Sequence, residues 1–170
     1  MMSGLLVALL VATELVHSVW LVRLPVAGQI IDPALPLVIA IAFRRPAWGP
    51  TVGLGVGLLQ DLLFGGSLGL YALVKLLVGY GAAALGRVLL VDQPALPWVI
   101  TAVATLLHQV VLVLVLAVAG LLPVGLADLG APLLAQVALN LVAVWPAFAL
   151  ARLLLRGPAV AQPREGLRGL

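Results

Sequence analysis

The sequence predicts an all-α, polytopic membrane protein, and three observations carry that prediction. Of the 170 residues, 64% are hydrophobic and only 9% charged, whereas a soluble domain carries roughly a quarter charged residues and about half apolar ones. The mean hydropathy is +1.27, leaving too little polar material to cover a water-facing surface. The apolar residues fall in long runs broken by Pro, Gly and Arg, with no heptad or Gly-X-Y period, which excludes coiled coil, collagen and disorder. Cysteine is absent, which removes disulfides, thiol nucleophiles and thiolate metal sites. A net charge of +3 and a pI near 10.2 would point to nucleic acid in a soluble protein. In this chain they fit the charge rules of membrane topology, and no nucleic-acid partner is expected.

A spanning helix needs about 20 mostly apolar residues, each rising about 1.5 Å through a core about 30 Å thick. The punctuation yields six candidates. The first covers residues 3–22 and ends at Arg23-Leu24-Pro25. No Lys or Arg precedes its apolar run and no small-x-small cleavage site follows it, so it reads as a retained span rather than a signal peptide. The second begins near Asp32-Pro33, an N-cap followed by proline at the first helical position, and stops at Arg44-Arg45-Pro46. The third covers residues 48–64 and stops at Gly65-Gly66-Ser67; the fourth covers 68–87. The fifth covers 95–120, after Asp92-Gln93-Pro94, and the sixth 131–155. Residues 1–156 therefore read as one six-helix transmembrane domain, and 157–170 as a short basic cytoplasmic tail expected to fray.

The second segment is short. From Pro33 to Phe43 it reaches about 17 Å at helical rise, so either residues 26–32 extend it in broken form or it is a partial helix buried among its neighbours. With six crossings and a cytoplasmic N-terminus, Arg44, Arg45, Arg87, Arg152, Arg156, Arg164 and Arg168 lie inside and only Arg23 outside. The positive-inside rule therefore favours six spans with both ends in the cytoplasm. Trp20, Trp48, Trp98 and Tyr71 fall at expected span ends, as an aromatic belt requires, whereas Trp145 falls mid-span.

Ionisable residues inside spans are expensive and so are functional candidates. Here they are Glu14, His17, Asp61, Lys75 and His108, with Gln60, Gln109, Gln136 and Asn140 as uncharged companions. Depth counted from the cytoplasmic end at ~1.5 Å per residue places Glu14, Asp61, Lys75 and His108 all roughly 17–21 Å deep, one polar layer shared by four helices. Two readings follow: a structural cluster in which Lys75 neutralises Asp61 or Glu14 and locks helices together, or a proton or ion relay or ligand pocket. Glu14 and His17 stand at i and i+3, a spacing used by carboxylate–His metal sites in bundles, but no second ExxH occurs and no metal is expected. Ser67 lies in no GxSxG elbow and GxxxxGK[ST] is absent, so neither catalysis nor a cofactor is expected. No internal repeat marks a secondary transporter.

Gly49, Gly53 and Gly57 recur at four-residue spacing and fall within about 80° of arc on one helical face. Such a ridge lets another helix approach backbone to backbone, either within the bundle or from a partner. Gly79, Ala83 and Gly86 form a looser counterpart in the fourth span.

The stretch Gly57-Leu58-Leu59-Gln60-Asp61-Leu62-Leu63-Phe64-Gly65-Gly66-Ser67-Leu68-Gly69-Leu70-Tyr71-Ala72, followed by Gly79-Tyr80, resembles the signature of the rod-shape-determining MreD family. Asp32-Pro33, the apolar run to Phe43 and Arg44-Arg45-Pro46-Ala47-Trp48-Gly49 are similar to that family's second helix and basic loop. The resemblance implies a multi-pass protein of the bacterial cytoplasmic membrane. It would act without catalysis in cell-wall elongation beside MreC, the actin-like MreB and the RodA–penicillin-binding-protein pair, with self-association possible in principle. It also implies a fold similar to the S components of energy-coupling-factor transporters, which makes a small-ligand pocket the competing reading. Lys75 stands where an uncharged residue is expected in such a family.

Overall fold

The computed structural model describes residues 2–19, 32–64, 69–88, 95–120 and 130–155. Among these residues six α-helices follow one another: α1 (Met2–Val19), α2 (Ala34–Arg44), α3 (Gly49–Phe64), α4 (Leu70–Val88), α5 (Leu96–Val118) and α6 (Gly130–Leu154). A 3₁₀ turn, Pro46–Trp48, joins α2 to α3, and no strand occurs among the described residues. The stops expected at Arg23–Pro25, Gly65–Ser67 and Asp92–Pro94, together with Trp20 and the tail from Gly157, lie outside the described residues.

By length and composition α4, α5 and α6 can each cross a bilayer, whereas the apolar stretch Gly4–Val19 and α2 are shorter. The surface is that of a protein solvated by lipid. Val99, Val103, Val110, Leu114, Leu134, Val142 and Trp145 all point outward, while Glu14, Asp61, Lys75 and Asn140 are buried. Mid-span Trp145 is 73% exposed, a lipid-facing ring rather than a member of an interfacial belt.

Helix α2 is the centre of the bundle. Every residue from Ala34 to Phe43 is buried, as expected of a helix that is apolar all round. At 11 residues it is only about 16 Å long, half the bilayer core, so its N-terminus opens inside the protein. A helix starting there must satisfy its first N–H groups without water. Pro36 in the first turn carries no N–H, and Leu35 donates to Asp32 Oδ1 at 3.2 Å. Two apolar clusters hang on this helix. Leu35, Ile39 and Phe43 pack with Val78, Ala82, Val144 and Phe148, and Leu37, Val38 and Ile41 pack with Leu6, Leu10 and Val56.

Helices α3 and α4 run antiparallel at backbone contact. A β-carbon on Gly49 would strike the Gly79 carbonyl and the Ala42 and Ala83 side chains; on Gly53, the Lys75 carbonyl; on Gly57, the Ala72 Cα and Tyr71 carbonyl. Gly79 is equally closed, against the Gly49 carbonyl. Small residues thus set the closest packing of the molecule where apolar burial supplies little drive between helices. The ridge faces α4 and leaves none of its three glycines for an outside helix.

Candidate functional site: a buried charge cluster

One turn beyond Gly57 the same face of α3 carries Asp61, and its carboxylate lands on the start of α4. Oδ2 accepts from the N–H of Gly69 at 2.9 Å and of Ala72 at 3.1 Å, and Oδ1 from the N–H of Tyr71 at 3.0 Å. Gly69, at φ +100°, takes a conformation suited to glycine and turns its N–H into this cradle. Asp61 therefore caps α4 from the neighbouring helix, satisfying donors that the first turn leaves orphaned and placing an anion at the positive end of the dipole.

Of the two carboxylates expected to neutralise Lys75, Asp61 or Glu14, Asp61 is thus committed to the start of α4. Lys75 Nζ instead lies 3.2 Å from Glu14 Oε1 and 3.1 Å from Asp32 Oδ2, with a hydrogen bond to Asp32 Oδ1 at 3.2 Å. The ammonium and the Glu14 carboxylate are both fully buried. His17 Nδ1 lies 3.3 Å from Glu14 Oε2, one turn along α1. Two carboxylates thus face one lysine, and His17 stands at hydrogen-bond distance from one of them.

Asp32 ties this cluster to the rest of the bundle. Its side chain caps α2 through Leu35, and its N–H donates to Asn140 Oδ1 at 3.3 Å. Asn140 Nδ2 in turn donates to Thr105 Oγ1 at 3.2 Å. One connected network therefore runs through α1, α4, the head of α2, α6 and α5. Asp32 and Thr105 are the members that the sequence reading left out. The His108 ring stacks on Tyr71 at 6.3 Å, Tyr71 meets Phe64 at 6.4 Å, and Phe64 meets His17 at 5.1 Å between centroids. These rings line the layer from α5 to α1. Gln60 and Gln136 are buried outside the Lys75 network, and Gln109 is only partly buried.

Glu14, His17 and Asp32 each offer a ligand atom within 4.8 Å of the others. Lys75 already stands at hydrogen-bond distance from both carboxylates, so the cluster carries its own cation where a metal ion would have to sit. The geometry is that of a clamp, with each carboxylate engaged by a fixed donor.

Replacing Asp61 with Asn keeps one acceptor for three N–H groups and removes the charge. The protein is expected to lose about 1–2 kcal/mol, the worth of a cap plus its dipole term, read as a lower melting temperature in detergent. An unchanged melting curve would contradict the capping role.

No curated protein and no solved structure matches the chain. The family model described as rod shape-determining protein MreD matches residues 1–156, a region holding all six helices and every member of the network. The match agrees with the resemblance seen over most of the sequence and most specifically in residues 49–80: the chain belongs to the MreD family of rod shape-determining proteins.

Proposed function

We propose that this protein is a non-enzymatic scaffold of the bacterial cell-wall elongation machinery. It acts with MreC in the cytoplasmic membrane, and through it on the RodA–penicillin-binding-protein pair and MreB. The observation that carries this reading is the closure of the polar layer. A ligand-binding membrane protein of the S-component kind needs a polar cavity open to the outside. Here the acidic groups are buried and held by internal donors. A cavity between α1 and α3 lies apart from this layer and is lined mostly by apolar side chains. A bundle clamped at its polar centre presents a fixed outer surface, which suits it to positioning other helices. With the glycine ridge spent on α4, partner contacts fall to the lipid-facing surfaces. Affinity purification of the intact protein from mild detergent is expected to bring down MreC. Recovery of a stoichiometric small molecule with no MreC would overturn the scaffold reading.

The proposed topology is six crossings of residues 1–156, with both ends of the chain in the cytoplasm. It rests on the arginine asymmetry. Reporter fusions after Leu90 and after Leu170 should both report cytoplasm, and a periplasmic signal at either position would exclude this arrangement.

A further inference from the structure

Helix α1 leans on α3 but leaves a groove beside it, a cavity of about 520 Å³ lined by residues that include Leu6, Leu10, Trp48, Val52, Gly55 and Leu59. The two helices run parallel here: Leu6 and Trp48 mark one end, and the His17–Phe64 contact lies beyond the other. From Trp48 to Leu59 the groove extends about 16 Å at helical rise, the depth of one leaflet of a hydrocarbon core about 30 Å thick. It thus begins at the membrane face marked by Trp48 and stops short of the buried charge cluster.

The Trp48 end is basic. The Trp48 N–H donates to the Arg45 carbonyl at 2.8 Å, so Arg44 and Arg45 stand one 3₁₀ turn away. Arg152, in the last turn of α6, follows Ala151, which packs in the same apolar cluster as Phe43, the neighbour of Arg44. Arg87 ends α4 on the same face, where Gly86 packs on Phe43. The carboxylates among the described residues, Glu14, Asp32 and Asp61, all belong to the distant polar layer. The Arg44 Nε is buried and has no hydrogen-bond partner among the described residues. An arginine cluster at a membrane face has the chemistry that holds a lipid phosphate.

We propose that the α1–α3 groove seats an acyl chain of an anionic phospholipid whose phosphate rests on the Arg44, Arg45 and Arg152 cluster. The groove's length fits a chain of one leaflet. The bound lipid fills the gap left by the slender contact between α1 and the bundle.

Gly55 gives a clean test, because nothing lies within 4 Å of a β-carbon built there. Gly55→Leu therefore fills the groove while leaving the fold intact, checked by its helical circular dichroism and melting. The full chain is placed in phosphatidylcholine nanodiscs carrying a minor share of phosphatidylglycerol with a photoreactive acyl chain. Wild type should capture this lipid on residues 6–11 and 48–59. Capture should fall at least about tenfold in Gly55→Leu, and similarly in the triple variant Arg44→Gln, Arg45→Gln, Arg152→Gln. Unchanged capture in Gly55→Leu would remove the chain from the groove. Equal capture of a phosphatidylcholine probe by wild type would remove the charge selection, and displacement of the lipid by glycerol phosphate would reduce the site to one for free phosphate. A polypeptide captured at the groove in native membranes, through a photoreactive residue at position 55, would hand it to a protein partner; each of these results overturns the proposal.

Discussion

Gly53→Leu is expected to abolish folding of the bundle, and even Gly53→Ala should lower its stability severely. A β-carbon at position 53 meets the carbonyl and carbonyl carbon of Lys75, which are backbone atoms in the middle of α4 and cannot turn aside. Overpacking by a few methylenes typically costs 1–3 kcal/mol when side chains can shift. Here a helix must move, and the movement carries Lys75 away from Glu14 and Asp32. A loss well above about 3 kcal/mol follows, seen as aggregation or a collapsed melting transition in detergent. The contrast is Gly55, two residues along the same helix, where a larger side chain enters open space and should leave melting unchanged or raised, since glycine in a helix interior costs about 1 kcal/mol. Equal tolerance at positions 53 and 55 would show that α3 does not pack on α4 through this ridge.

The legible part of this molecule is what depends on spacing along one helix. Apolar run length and punctuation give helices whose bounds differ from the observed ones by a few residues, as with 48–64 against Gly49–Phe64. The four-residue ladder of glycines is visible at sight. It continues to Asp61, so the sequence also held the signal that this carboxylate faces the same neighbour as Gly57. What depth arithmetic cannot supply is the rotation of one helix against another. Lys75, Glu14 and Asp61 have similar depths, and only the packing of α1 and α2 decides which carboxylate the ammonium meets. Asp32 was legible as a capping residue and missed as a charge partner. Its place followed from the shortness of α2: counted back from Arg44 at ~1.5 Å per residue, Asp32 lies about 18 Å deep, level with the other polar groups. A half-length buried helix puts its N-cap in the bilayer interior, where a carboxylate needs a cation.

That pairing gives the second large effect. Lys75→Met leaves Glu14 and Asp32 facing each other with no ammonium between them, and removing one partner from a buried ion pair typically costs 3–5 kcal/mol. Uptake of a proton by one carboxylate would recover part of this loss. The single change should therefore drop the melting temperature sharply. The sharper test is which second change relieves it. Lys75 contacts Asp32 through both carboxylate oxygens and Glu14 through one, so Lys75→Met with Asp32→Asn, or with Glu14→Gln, should cost less than the sum of the single losses. Couplings of 0.5–3 kcal/mol are usual for contacting residues. Among the described residues Asp61 binds only backbone N–H groups at the start of α4 and shares no hydrogen-bond partner with Lys75. Lys75→Met with Asp61→Asn should then come close to additive. Thermal unfolding of the single and double variants in one detergent decides the matter. Stronger coupling of Lys75 to Asp61 than to Asp32 and Glu14 would mean that the charge cluster is wired differently from this geometry.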